Sequence, residues 1–212
     1  ITSLLSLAVL GGGMILSFSK NAEKYLPYTF GALILGFLMF QIGNFYMSKW
    51  GKSPRPDQKL TAALKGLDDK YTLYHYTTPV SHLLVGPSGV LGLVPLQQAG
   101  EIIYDENHNR WKQKGGNFFL KTFGGENIGR PENEVRYTIT DISKLLKQKS
   151  IDITPFEPEA ILVFTNEKAT ISAEGSPIPA ISGTKIKEFL RKRAKEKQFP
   201  LELIKQLEEK LA

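Results

Sequence analysis

The sequence predicts a mixed α/β domain carried behind a two-helix transmembrane hairpin. Three observations predict it. Residues 1–18 and 29–47 contain no charged side chain, although charged residues make up 23% of the chain. Beyond residue 56 the apolar positions alternate between helical and strand spacing, in the order helix, three or four strands, helix, strand. Ala160-Ile-Leu-Val-Phe-Thr165 is a continuous apolar run, as expected of a strand buried on both faces.

The 212 residues suit a membrane segment plus one domain of ordinary size. The expected organisation is a hairpin over 1–48, a basic linker over 49–56, an α/β domain over 57–183 and basic amphipathic helices over 184–212. The chain has no cysteine, which excludes disulfides, zinc–thiolate sites and thiol nucleophiles and fits a reducing compartment. Because it opens on Ile1 rather than methionine, further residues before it are expected.

Residues 1–18 approach the length that spans hydrocarbon, and Thr29–Met47 is a stronger candidate. Lys20, Glu23 and Lys24 fall between them in an expected ten-residue loop closed by Leu26-Pro27-Tyr28. Tyr25, Tyr28, Tyr46 and Trp50 stand where interfacial aromatics belong. The alternative for the first segment is a cleaved signal peptide. Its uncharged start and Ser17-Phe-Ser-Lys20 ending argue for the hairpin instead. Lys49, Lys52, Arg55 and Lys59 outnumber the loop's Lys20 and Lys24, so the positive-inside rule puts the C-terminal domain in the cytoplasm.

Within the second segment, Ala32 and Gly36 form a small-xxx-small pair, with Gly43 one heptad beyond Gly36. Gln41 and Asn44, three apart, share a helical face. Small residues and amides in hydrocarbon favour close helix contacts, with the first helix or with another subunit. Equally, the two amides could satisfy each other or sit near the interface. No charge lies in either segment, so a proton or ion pathway has no support.

In the domain, Gly51-Lys-Ser-Pro-Arg-Pro56 prevents a continuous helix out of the membrane. Leu60, Leu64 and Leu67 give a helical stripe over 57–67, and Tyr71–Tyr76 has strand composition. His82–Val85 and Gly89–Val94 are two strands joined by the Gly86-Pro-Ser-Gly89 turn. Gly100–Tyr104 is a further strand, ended by Asp105–Asn109. Trp111 and Asn117–Leu120 continue the meander. Pro131 and the acids after it open a helix whose stripe is Val135, Ile139, Ile142, Leu145 and Leu146. After the 160–165 strand, Thr170–Ser172 is expected to pair beside it, before a proline-broken stretch to Gly183. Two helices follow, one from Thr184 with Ile186, Phe189 and Leu190, the other from Pro200 with Leu203 or Ile204, Leu207 and Leu211.

That order, with the wording of residues 57–104, resembles the nuclease-related domain, a branch of the restriction-endonuclease-like superfamily. The residues that carry the likeness are Leu60/Leu64/Leu67, Tyr71–Tyr76, His82-Leu-Leu-Val-Gly-Pro-Ser-Gly-Val90, Gly100-Glu-Ile with Trp111, and Ile161-Leu-Val-Phe164. The resemblance implies a restriction-endonuclease-like mixed α/β domain. In catalytic members an aspartate precedes the histidine of the first hairpin strand, and an acid-x-lysine pair closes the second. Here those positions are Ser81, Val94 and Leu96. Two carboxylates would hold Mg²⁺, and the lysine would orient water or stabilise developing phosphorane charge; serine, valine and leucine supply neither. Glu101 or Asp105 could stand in, but no lysine follows either at the acid-x-lysine spacing.

His75, His82 and His108 lack metal-ligand spacing, and Gly124–Gly129 reads as a flexible connection rather than a phosphate loop. The run 185–197 sets seven basic residues, Lys185, Lys187, Arg191, Lys192, Arg193, Lys195 and Lys197, against two acids. It is either a solvated helix face or a contact for anionic lipid headgroups, an acidic partner or, least favoured, nucleic acid. Together these features predict a non-catalytic accessory or scaffolding subunit of a bacterial inner-membrane protein complex. Other membrane subunits are its expected partners, and no cofactor or metal is expected. The alternative is a membrane-anchored nucleic-acid binding or processing protein.

Overall fold

The computed structural model describes residues 2–20, 22–46, 54–116 and 127–211. The chain falls into two units, Ile1–Arg55 and Pro56–Ala212. The expected linker residues 49–53, the Asn117–Leu120 strand and the first half of the Gly124–Gly129 loop lie outside the described residues.

In the first unit, helix α1 (Thr2–Ser17) turns through Phe18–Lys20 into helix α2 (Ala22–Tyr46). Their pairing is antiparallel, with Leu10 against Gly36 and Gly13 against Ala32. The expected ten-residue loop is therefore corrected: Glu23, Lys24 and Pro27 belong to α2. Proline at 27 removes only the bond to the Glu23 carbonyl, while two residues later the Thr29 hydroxyl donates to the Tyr25 carbonyl at 3.1 Å. The described α2 is about 37 Å long and α1 about 24 Å, at 1.5 Å per residue. Accordingly α2 (Ala22–Gly43) is long and apolar enough to cross a membrane, whereas Leu5–Ser17 is a shorter apolar helix.

The second unit is mixed α/β, but its strands make two sheets rather than the single central sheet expected. Strands β1 (Thr72–His75), β2 (His82–Gly86) and β3 (Gly89–Leu96) form an antiparallel meander. Strand β6 (Glu159–Phe164) adds parallel to β3, and β8 (Ala180–Ser182) adds parallel to β6, giving the order β1-β2-β3-β6-β8. The smaller sheet has β4 (Gly100–Asp105) between β5 (Arg110–Lys114) and β7 (Ala169–Ser172). So the 170–172 strand pairs with β4 and not beside β6, and the proline-broken stretch before Gly183 contains an unexpected strand, β8. Three residues after two prolines are too few for a periodicity to register.

Alternation along the central strands assigns the faces. Leu84, Leu91, Leu93, Ile161 and Val163 meet α3 (Pro56–Leu64) through Leu60 and Leu64, and α5 (Ile186–Lys197) through Ile186 and Leu190. Leu83, Val85 and Val90 point the other way, to Ile142, Leu145 and Leu146 of α4 (Pro131–Gln148) and Ile204, Leu207 and Leu211 of α6 (Leu201–Leu211). The C-terminal helices are thus part of the same packed unit, with one on each face. Within each helix the expected stripe is the face turned to the core, while Leu67, placed in the first stripe, lies half-buried beyond the end of α3. A period of 3.6 with charges elsewhere leaves no other side to bury. Helix α3 ends three residues earlier than expected, ahead of Gly66 in the left-handed region (φ 78°).

Candidate functional site

The hairpin seam is built from small residues. On α2, Gly36 and Gly43 are buried, seven residues apart as a coiled-coil-like seam requires. On α1, Ser6 and Gly13 are buried, again seven apart. A Cβ at Gly13 would stand 3.1 Å from the Ala32 Cβ, and one at Gly36 only 2.6 Å from the Leu10 Cγ. The backbones approach because no side chains intervene. Gln41 is exposed and off this seam, since 41 and 43 differ by about 200° around a helix. The Asn44 side chain lies outside the described residues.

In the domain, the three positions marked by the family resemblance fall at one end of the β2–β3 hairpin. Extending the register two steps past its last pair, Leu83 with Gly92, sets Ser81 across from Val94. Ser81 is exposed, and its carbonyl accepts from the Tyr76 N–H at 3.0 Å. Val94 and Leu96 are buried against Ile102, Trp111, Val135, Leu162 and Phe164. These side chains join the sheet to α4 and to the smaller sheet. Pro95 stands beyond the β2 pairing, with Val163 of β6 as its partner in register, so its missing N–H leaves no β2 bond unmade. Past it, the Thr165 hydroxyl donates to the Leu96 carbonyl at 3.2 Å and the Asn166 amide to the Gln97 carbonyl at 2.9 Å.

The two acids weighed as stand-ins are both on β4, in the smaller sheet. Each does face a lysine, across the strands rather than along one: Glu101 is in register with Lys114, and Asp105 pairs with Lys112. Hydrogen bonds from Lys112 and His108 hold the Asp105 carboxyl down at about 2. This cluster staples the β4–β5 turn.

Sequence spacing missed the contact between His75 and His82. The six residues between them close a hairpin that sets the two opposite each other, with their Nδ1 atoms 2.8 Å apart. One nitrogen must donate and the other accept, so the contact requires a neutral imidazole. The His75 Nε2 lies 3.0 Å from the Thr61 hydroxyl of α3. Burial pushes the His75 pKa down, against the opposing pull of Asp57. Tyr76, in the left-handed region at φ 57°, packs its ring edge-on against His82. Among the described residues no group of three His, Asp or Glu side chains is placed to hold a metal ion.

The basic run divides. Arg193 and Lys197 both pair with Glu159 at the start of β6, and the Arg193 Nε donates to the Ser88 carbonyl at 3.2 Å. Lys187 donates to the Lys65 carbonyl at 3.0 Å. Lys185, just before α5, and Arg191, Lys192 and Lys195 on it stay exposed. Burial raises the Glu159 carboxyl, but hydrogen bonds from Arg193 and Lys197 outweigh it and hold the pKa below the ordinary glutamate value. A depressed carboxylate stabilises the fold above its unfolded pKa, and that stabilisation is lost as pH falls through the lower folded value. Glu159→Gln strands a guanidinium only 12% exposed. Its expected cost, measured by urea unfolding at pH 7, is about 1–3 kcal/mol after allowance for partial solvation. The difference from wild type shrinks below about pH 4, where an ordinary glutamate is itself protonated.

Compared with family models, with curated proteins and with solved structures, the chain matches none.

Proposed function

We propose that this chain is a membrane-anchored, non-catalytic accessory or scaffolding subunit of a bacterial membrane protein assembly, with its hairpin in the bilayer and its α/β domain in the cytoplasm. One observation carries the reading: the hairpin is apolar on the outside. Ile15, Phe18, Phe30, Ile34, Phe37 and Phe45 all project outward, and only 11% of the α2 span is buried. A helix pair meant for water buries its large side chains and exposes polar ones. This one packs glycines inward and turns phenylalanine and isoleucine outward, the arrangement suited to lipid tails or to other transmembrane helices.

The order α3-β1-β2-β3-β4-β5-α4-β6, with β6 parallel to β3, supports the likeness to a nuclease-related framework. Val94 and Leu96 support the absence of its chemistry, because both positions serve as packing between the two sheets. A framework kept without its carboxylates serves binding rather than cleavage.

Extraction of the full chain in a mild detergent, followed by native sizing, tests the assembly. A particle larger than the chain with its micelle, containing other membrane subunits in fixed ratio, is expected. A lone monomer with no co-purifying protein contradicts it. The exposed Lys185, Arg191, Lys192 and Lys195 favour one further reading, a nucleic-acid binding role. It predicts DNA binding that falls steeply with salt and weakens in a combined R191Q, K192Q and K195Q variant. Cleavage of DNA in Mg²⁺ would overturn the non-catalytic reading.

A further inference from the structure

A cavity of about 430 Å³ opens in the domain where β6 and β8 end, between α3 and α5. The two strands run parallel, so their carboxyl ends open on the same edge of the sheet. That edge is where ligands of open α/β sheets settle, because the chain leaves the strand ends into loops and helix starts. The volume falls in the range of small-molecule sites, about 300–1,000 Å³.

Two ammonium groups, from different helices, line this cavity: Lys59 on α3 and Lys187 in the first turn of α5. Each is held by a neutral acceptor. The Lys59 Nζ donates to the Gln97 side-chain oxygen at 3.4 Å, and the Lys187 Nζ to the Lys65 carbonyl at 3.0 Å. Neither has a carboxylate within ion-pair distance among the described residues, so their charges are left uncompensated on one concave surface. The contrast within α5 is direct, since Arg193 and Lys197 on the same helix share Glu159. Ser182 and Thr184 complete the polar wall with hydroxyl oxygens 2.9 Å apart. Only one of the two can donate to the other, which leaves a hydroxyl hydrogen for a ligand. Glu167, exposed, is the single acid lining the cavity among the described residues, which together keep a net positive charge.

We propose that this cleft binds a small phosphomonoester, with Lys59 and Lys187 as its counter-charges and the remaining hydroxyl hydrogen of the Ser182–Thr184 pair as a donor to its oxygens. A dianionic phosphate matches two lysines set against one peripheral acid, and the volume leaves room for the organic group it carries. The cleft is distinct from the nuclease-like positions, whose Val94 and Leu96 face the α4 side of the sheet.

The test uses the full chain in detergent, titrated calorimetrically with inorganic phosphate, glucose 6-phosphate and adenosine monophosphate at matched ionic strength. Saturable binding of at least one of the two phosphomonoesters, with a dissociation constant below about 1 mM and tighter than for inorganic phosphate, is expected. The combined K59Q and K187Q variant is expected to keep the wild-type melting midpoint and to lose about tenfold or more in affinity, whereas R191Q with K192Q leaves the affinity unchanged. Absence of saturable binding for all three probes overturns the proposal. So does tighter binding of bare phosphate, or an equal loss in both pairs of variants, which would mean diffuse surface attraction.

Discussion

Gly92→Val is expected to unfold the α/β domain more readily than any conservative surface change. Gly92 is in the middle of β3, between Leu83 of β2 and Ala160 of β6, where α4 crosses the sheet. Even a Cβ there would meet the Thr138 methyl at 2.2 Å, with Ile142 and Ala160 at 3.2 and 3.4 Å. Thr138 is β-branched on a helix and cannot swing its methyl away without changing rotamer. Either α4 lifts from the sheet or the strand bends. Overpacking of this kind costs about 3 kcal/mol, at the upper end of its usual range. For a domain of this size that lowers the melting midpoint by roughly 6–12 °C. A double-mutant cycle assigns the cause. Gly92→Ala is expected to be destabilising, and Thr138→Ser, which removes the clashing methyl, to recover a measurable part of the loss. Equal losses with and without Thr138→Ser would place the effect in the strand backbone instead.

The second large effect is expected in the hairpin. Gly36→Leu drives a branched side chain into Leu10, where a Cβ alone would already be 2.6 Å from Cγ. Separating α1 from α2 by one side-chain thickness removes the close approach on which the seam depends. A penalty of about 2 kcal/mol shifts the pairing equilibrium roughly thirtyfold. The chain's lack of cysteine makes the readout clean. The Cβ positions at Gly13 and Ala32 are 3.1 Å apart, a few tenths short of the disulfide range of about 3.5–4.5 Å. G13C with A32C is therefore expected to form an intrachain disulfide under mild oxidation, and Gly36→Leu to suppress it. Gly31→Leu, at a position with nothing within 4 Å, is expected to leave it intact.

What the sequence made legible was whatever depends on local period. The stripes Leu60/Leu64, Val135/Ile142/Leu145 and Ile204/Leu207 are the buried faces of their helices, and Ile161–Phe164 is the buried central strand. Small residues at Gly36 and Gly43 likewise marked the α2 face that meets α1. Long-range pairing was not legible. Whether Thr170–Ser172 joins β6 or β4 depends on where the chain crosses after Phe164, and no local pattern records that crossing. The same holds for Glu159, which removes Arg193 and Lys197 from the basic run although it is more than thirty residues away in sequence. Pro27 misled in the opposite direction. Read as a breaker, it suggested a long loop, yet α2 runs through it. The Ser81–Val94 end of the hairpin shows both levels together. The residue types argued against metal chemistry, and the structure adds that Val94 and Leu96 are buried between the two sheets.

The central claim, that the hairpin crosses a membrane and leaves the domain in the cytoplasm, is tested most directly by cysteine labelling in intact cells. Lys20 in the α1–α2 turn and Lys192 on α5 are both exposed. With the wild-type chain as a cysteine-free background, K20C and K192C are each treated with a membrane-impermeant maleimide. The account predicts that K20C reacts from outside the inner membrane and that K192C reacts only after the membrane is permeabilised. Reaction of K192C in intact cells with K20C protected, or protection of both together with release of the chain by alkaline carbonate, would contradict it.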